Sequence, residues 1–147
     1  MDIVREEFRH WESIQVRWGD MDALGHVNNA SYFTYLESGR LGFFTSLKLW
    51  DDEGRGEQGP ILAQVCCNFR KPLHYPASLE VGTRVTEVRN RGFALRQEIF
   101  VEGQTDPATE ATCVVVWVDY STGTPVALPQ GLRQALLSEE EVTWEGR

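Results

Sequence analysis

A single helix-period run stands among strand-period runs, and that imbalance constrains the fold more than any other feature. From Ala30 onward, Tyr32, Leu36, Gly39, Phe43 and Leu47 recur at three- or four-residue steps. That spacing predicts an amphipathic helix. A second line, Phe33, Leu36, Arg40 and Phe44, widens the stripe, so the helix is expected to be buried on most sides. Gly39 and Gly42 lower helix propensity but permit close approach of a sheet or a second backbone.

The flanking segments have the period of strands. Residues 13 to 18, SIQVRW, alternate so that Ile14, Val16 and Trp18 share one face. After a polar, glycine-rich loop at 51 to 59 come four further runs. ILAQVCCNFR alternates through Ile61, Ala63, Val65, Cys67 and Phe69. KPLHYPASLE, with two prolines, reads as a connection. Leu79, Val81, Thr83 and Val85 alternate, and so do Phe93, Leu95, Gln97, Ile99 and Val101. Residues 84 to 100 then form a hairpin around Asn90-Arg91-Gly92. EATCVVVWVDY is the most apolar run and is expected at the sheet's centre, and LPQGLRQALL closes the chain as a short helix. Consecutive strands after one helix predict α+β, with an antiparallel curved sheet wrapped around that helix. A length of 147 residues fits one domain, 1–147.

Composition removes several function classes. A formal net charge of -8 argues against general nucleic-acid binding and disfavours docking to anionic membranes. No stretch approaches the roughly 20 apolar residues of a membrane-spanning helix. The charged start MDIVREEFRHWE lacks the apolar core of a signal peptide. Cys66, Cys67 and Cys113 match neither a disulfide framework nor a zinc site. They read as buried packing residues in a reducing cytoplasm.

Residues 19 to 29, GDMDALGHVNN, gather two carboxylates, a histidine and two asparagines just before the helix. The wider segment RWGDMDALGHVNNASYFTYLESGR resembles the acyl-CoA thioesterases of the hot-dog fold, in the 4-hydroxybenzoyl-CoA thioesterase-like branch. The likeness continues through FRKP and the hairpin to VDYSTGTPVALP, nearly the whole chain. It implies a hot-dog fold, thioester hydrolysis of an acyl-CoA, no metal, no cofactor beyond the coenzyme A of the substrate, and a homodimer or homotetramer. The plant-type acyl-carrier-protein thioesterases share the H-V-N-N part. The asparagine they carry two residues before the histidine is Leu24 here. An acyl-carrier-protein thioesterase and a non-catalytic acyl-CoA-binding hot-dog domain stay open as alternatives.

Thioester hydrolysis needs an agent that activates water or attacks the carbonyl, a stabiliser for the oxyanion, and a grip on the carrier. No G-x-S-x-G elbow is present, so a carboxylate is the available agent. Asp22 matches the family's catalytic aspartate and precedes a helix whose first N–H groups suit an oxyanion. Its alternative role is to cap a turn. Asp20 reads as a loop brace. His26 fits either a bond to carboxylate or substrate, or a loop histidine satisfied by backbone. One of Asn28 and Asn29 is the expected helix N-cap, and either amide could orient substrate. Glu37 is expected to pair with Arg40. Tyr32, Phe33 and Tyr35 read as core or dimer contacts, with the acyl pocket as their alternative. Arg70, Lys71, Arg89 and Arg91 belong to a locally basic strip suited to the phosphates of coenzyme A. The resemblance implies that the hairpin arginines act on a neighbouring subunit's site.

Overall fold

In the computed structural model, which describes residues 5–49 and 56–144, the helix-period run does form one long helix, α1 (Asn29–Ser46), against a five-stranded antiparallel sheet. The strands are β1 (His10–Gln15), β2 (Gln58–Phe69), β3 (Ser78–Val88), β4 (Gly92–Val101) and β5 (Thr109–Asp119), in the order β1-β3-β4-β5-β2. A second helix, α2 (Gln130–Trp144), follows. The loop expected at 51 to 59 lies largely outside the described residues, and its last two positions already belong to β2.

Alternation placed β3 and β4 correctly. Leu79, Val81, Thr83 and Val85 are buried, as are Phe93, Leu95, Gln97 and Ile99. The hairpin is longer than expected, pairing Leu79 with Val101 at one end and Val88 with Phe93 at the other. Gly39 shows why the helix carries glycine: a Cβ there would stand 2.6 Å from Val81 Cγ1.

Four expectations are corrected. First, β1 ends at Gln15, and Trp18 opens a 3-10 turn (Trp18–Asp20) with its ring 77% exposed. Second, the middle strand is β4, because β2 pairs on the far side of the more apolar β5. Third, the register of β2 slips between Leu62 and Gln64, so Ile61 and Val65 do not share a face. Fourth, edge position leaves Cys66 exposed and Cys67 half-buried, and only Cys113 is buried.

The interior has two apolar clusters under α1. One gathers Val16, Val27, Tyr32, Tyr35, Leu36, Leu73 and Ile99, beside the loop that precedes the helix. The other gathers Phe43, Phe44, Phe93, Leu95, Trp117, Leu128 and Leu136, near the β3–β4 hairpin and α2. A polar layer lies where they meet: Gln97 Nε2 donates to Leu36 O (2.9 Å) and Thr83 Oγ1 (3.0 Å), and Arg40 Nη1 donates to Gln97 Oε1 (3.3 Å). Arg40 therefore points at the sheet, and no ion pair joins it to exposed Glu37 among the described residues.

Candidate active site

The motif folds as a tight loop closed by a bridge between Met21 and Val27. Asp22 N–H donates to His26 O (3.0 Å), and Gly25 supplies the left-handed φ of 91° that the turn requires. The two aspartates take different environments. Asp20 is buried and bound from three sides, by Tyr35 OH (2.7 Å), Arg17 N–H (3.0 Å) and Arg17 Nη2 (3.1 Å). Burial alone would raise its pKa, but the hydrogen bonds from Arg17 and Tyr35 outweigh burial and hold it below the usual aspartate value. Asp20 O also accepts from Asn28 N–H (2.9 Å), so this residue fixes the start of α1. Burial and the adjacent Asp20 push the Tyr35 hydroxyl far above its ordinary pKa, which keeps it a donor.

Asp22 is half-buried and faces an open cleft of about 560 Å³, lined also by Trp18, Gly19, Met21, Ala23 and Tyr75. Its Oδ1 accepts from Leu24 N–H (2.9 Å). Its Oδ2 has no protein partner among the described residues.

The first amides of α1 divide sharply. Asn28 is the N-cap, and its Oδ1 takes Ala30 N–H (2.9 Å). Its own N–H goes to Asp20 O, and Ser31 N–H goes to Asn28 O. Of the amides of residues 28–31, Asn29 N–H is the one left without an acceptor among the described residues. The expectation of several amides near Asn28 to Ala30 thus narrows to one donor. Asn29 and His26 border a second cleft, about 180 Å³, with Tyr32, Phe69, Arg70 and Lys71. The His26 ring lies 6.1 Å from that of His74, whose Nδ1 is 3.3 Å from Gly25 O.

The basic strip is less available than its composition suggests. Arg70 Nη1 is 2.8 Å from Glu110, which also draws Arg96, and Arg96 is bound by buried Glu98 (3.2 Å). Arg89 is paired with Glu87 (2.9 Å). Lys71 Nζ reaches only neutral oxygens, Gln104 Oε1 at 3.5 Å and Asp106 O at 3.4 Å. Arg89 and Arg91 sit on the hairpin, at the other end of β3 from the Asp22 loop, roughly 33 Å away at strand rise. Within one chain, Asp22, His26, Asn28, Asn29, Arg70 and Lys71 share one end of the sheet, and the hairpin arginines do not.

Neither Cys67 nor Cys113 is set up as a nucleophile. Burial, with Cys66 beside it, pushes the Cys67 thiol up to about 11, and burial also raises Cys113. Trp18, Tyr75 and His74 escaped the sequence reading. Trp18 was hidden by continuing a strand alternation, and the other two by lying in a connection 50 residues along the chain.

Known proteins resemble this chain in sequence and fold. The PA5185 protein of Pseudomonas aeruginosa superposes with a TM-score of 0.84 at 31% identity, covering 93% of this chain and 95% of that one. The long-chain acyl-CoA thioesterase FadM of Escherichia coli is 24% identical over 123 residues, 84% of this chain and 93% of that protein. A chloroplastic acyl-acyl carrier protein thioesterase of Arabidopsis thaliana, ATL3, is 28% identical over 125 residues, and the match spans 84% of this chain but only 65% of that protein. Residues 16–136 match the Thioesterase-like superfamily, and the chain belongs to that superfamily, on a hot-dog fold.

Proposed function

We propose that this protein is an acyl-CoA thioesterase of the 4-hydroxybenzoyl-CoA thioesterase-like branch, acting in the cytoplasm without a cofactor. The observation that carries the reading is a half-buried Asp22 carboxylate on the loop that leads directly into α1, whose first amide, Asn29 N–H, is unclaimed among the described residues. The thioester carbonyl oxygen accepts from Asn29 N–H. Asp22 takes a proton from water as the water oxygen bonds to the carbonyl carbon. The oxyanion then collapses, the C–S bond breaks, and the thiolate of coenzyme A leaves and takes up the proton. Direct attack by Asp22, giving a mixed anhydride that water then opens, uses the same groups. Asn28 serves through the helix cap, and His26 borders the carrier side of the loop.

The phosphates of coenzyme A call for cations, and Lys71 is the least committed one near the loop. A dimer would add more. β2 is an edge strand of 12 residues, with Ile61, Leu62 and Phe69 exposed on it and Phe33 and Leu41 exposed on α1. A second copy pairing antiparallel on that edge runs in the opposite direction. Its 89–92 hairpin then reaches the same end of the joined sheet as this chain's Asp22. Homodimerisation, or a tetramer built from such dimers, gives Arg89 and Arg91 a phosphate-binding role.

The decisive test is Asp22→Asn, assayed by thiol release over short, medium, long and aromatic acyl-CoAs. General-base loss predicts about 10²–10⁴-fold lower kcat with an unchanged thermal midpoint. Near wild-type kcat on every ester that the wild type cleaves overturns the assignment. The chloroplast relatives favour a second reading, hydrolysis of acyl-acyl carrier protein. Matched acyl-CoA and acyl-carrier-protein substrates separate the two, and saturable binding with no hydrolysis would point to a binding domain instead.

A further inference from the structure

We propose that Trp18 and Tyr75 form the acyl subsite, so that the substrate lies across Asp22 with its apolar arm between these rings and its anionic arm toward Lys71. The inference rests on the thioesterase reading above. Both rings border the 560 Å³ cleft that holds Asp22, and Trp18 is 77% exposed and Tyr75 46%. Apolar surface gathered beside a reactive group and left in water marks a place where a ligand completes the burial. Two rings are well suited to this, because they offer large rigid area.

Charge is segregated about the loop. Among the described residues Asp22 is the only charged one lining the aromatic cleft, and the nearest Lys or Arg in sequence, Arg17, is engaged by Asp20 at 3.1 Å. The second cleft holds Lys71 and Arg70 beside Asn29. A carrier thioester has an apolar arm and a phosphorylated arm leaving the carbonyl carbon in opposite directions. With that carbon at Asp22 and its oxygen on Asn29 N–H, the two arms meet clefts of opposite character. The reverse orientation would set phosphates beside a carboxylate, with no cation among the described residues lining that cleft, and an alkyl chain against Lys71.

The test compares wild type with Trp18→Ala, Tyr75→Ala and Trp18→Phe on acetyl-, butanoyl-, octanoyl- and dodecanoyl-CoA, and on the octanoyl thioester of N-acetylcysteamine. Each methylene withdrawn from apolar contact lowers kcat/KM by about fourfold, so losing contact with two of them already lowers the octanoyl-to-acetyl ratio by more than about tenfold in either alanine variant. Trp18→Phe restores most of it. An unchanged ratio overturns the proposal. So does an equal loss on every CoA ester without loss on the truncated thioester, since the rings would then hold the carrier. Thermal melts confirm that the variants fold, and if Trp18→Ala does not, Tyr75→Ala decides. Wild type inert on every ester would instead overturn the thioesterase reading itself.

Discussion

The two halves of the interior beneath α1 use different aromatic residues. At the loop end, Tyr32 and Tyr35 bury their rings and commit their hydroxyls, Tyr32 to Leu73 N–H (3.0 Å) and Tyr35 to Asp20 Oδ2 (2.7 Å). At the hairpin end, Phe43, Phe44 and Phe93 pack at centroid separations of 6.2 and 6.0 Å and have no polar atom to place. Both halves bury apolar area, but only one also locates loops. The tyrosines fasten the 70–77 connection and the Asp22 loop to the helix that supplies the amide. The phenylalanines hold the helix to the sheet.

If that division is real, the halves should fail differently. Phe93→Ala should cost the most stability, about 3–5 kcal/mol by denaturant melts, while kcat per folded molecule stays near wild type. A parallel fall in kcat would break the comparison. Tyr35→Phe removes a hydrogen bond to an ionised, buried carboxylate and should cost about 1.5–3 kcal/mol. Unlike Phe93→Ala, it should also lower kcat/KM, because Asp20 in turn holds the Asn28 amide. Stability loss with intact kcat/KM would show that the loop is positioned by other contacts.

The smallest effect is on the acid limb of stability. Asp20 has a folded-state pKa below its unfolded one, so its contribution is fully present above the unfolded value and is lost as pH falls through the folded value. Tyr35→Phe takes away one of the bonds that lower it. The loss should then be complete at higher pH and smaller in total than in wild type, as read by thermal melts stepped down from pH 5. No difference between the two acid limbs would remove Tyr35 as a cause.

Much of this was legible in the sequence because local pattern and tertiary packing agree there. The alternations of β3 and β4 and the three- and four-residue steps of α1 each point at a real buried face. What was illegible depends on neighbours distant in the chain. A bulge turned Ile61 away from the face of Val65. Edge position exposed Cys66 in an alternating run that reads like a core strand. The motif singles out Asp22 as a candidate but does not show that, of the amides of residues 28–30, one remains after Asn28 and Asp20 take their shares, nor that Arg70 is already engaged by Glu110.

The layer of Thr83, Gln97 and Arg40 acts as a detent for the helix. Gln97 has its amide shared between Leu36 O and Thr83 and its carbonyl occupied by Arg40, so it recognises one position of α1 along the sheet. A slide of one turn, about 5.4 Å, would strip the two bonds from Gln97 to α1, those to Leu36 O and Arg40, and drive a guanidinium among aliphatic side chains. Apolar clusters alone would tolerate such slippage far better. The amide that begins the helix is therefore indexed, along the rod from Asn29 to Leu36 and Arg40, by a glutamine in the middle of the sheet.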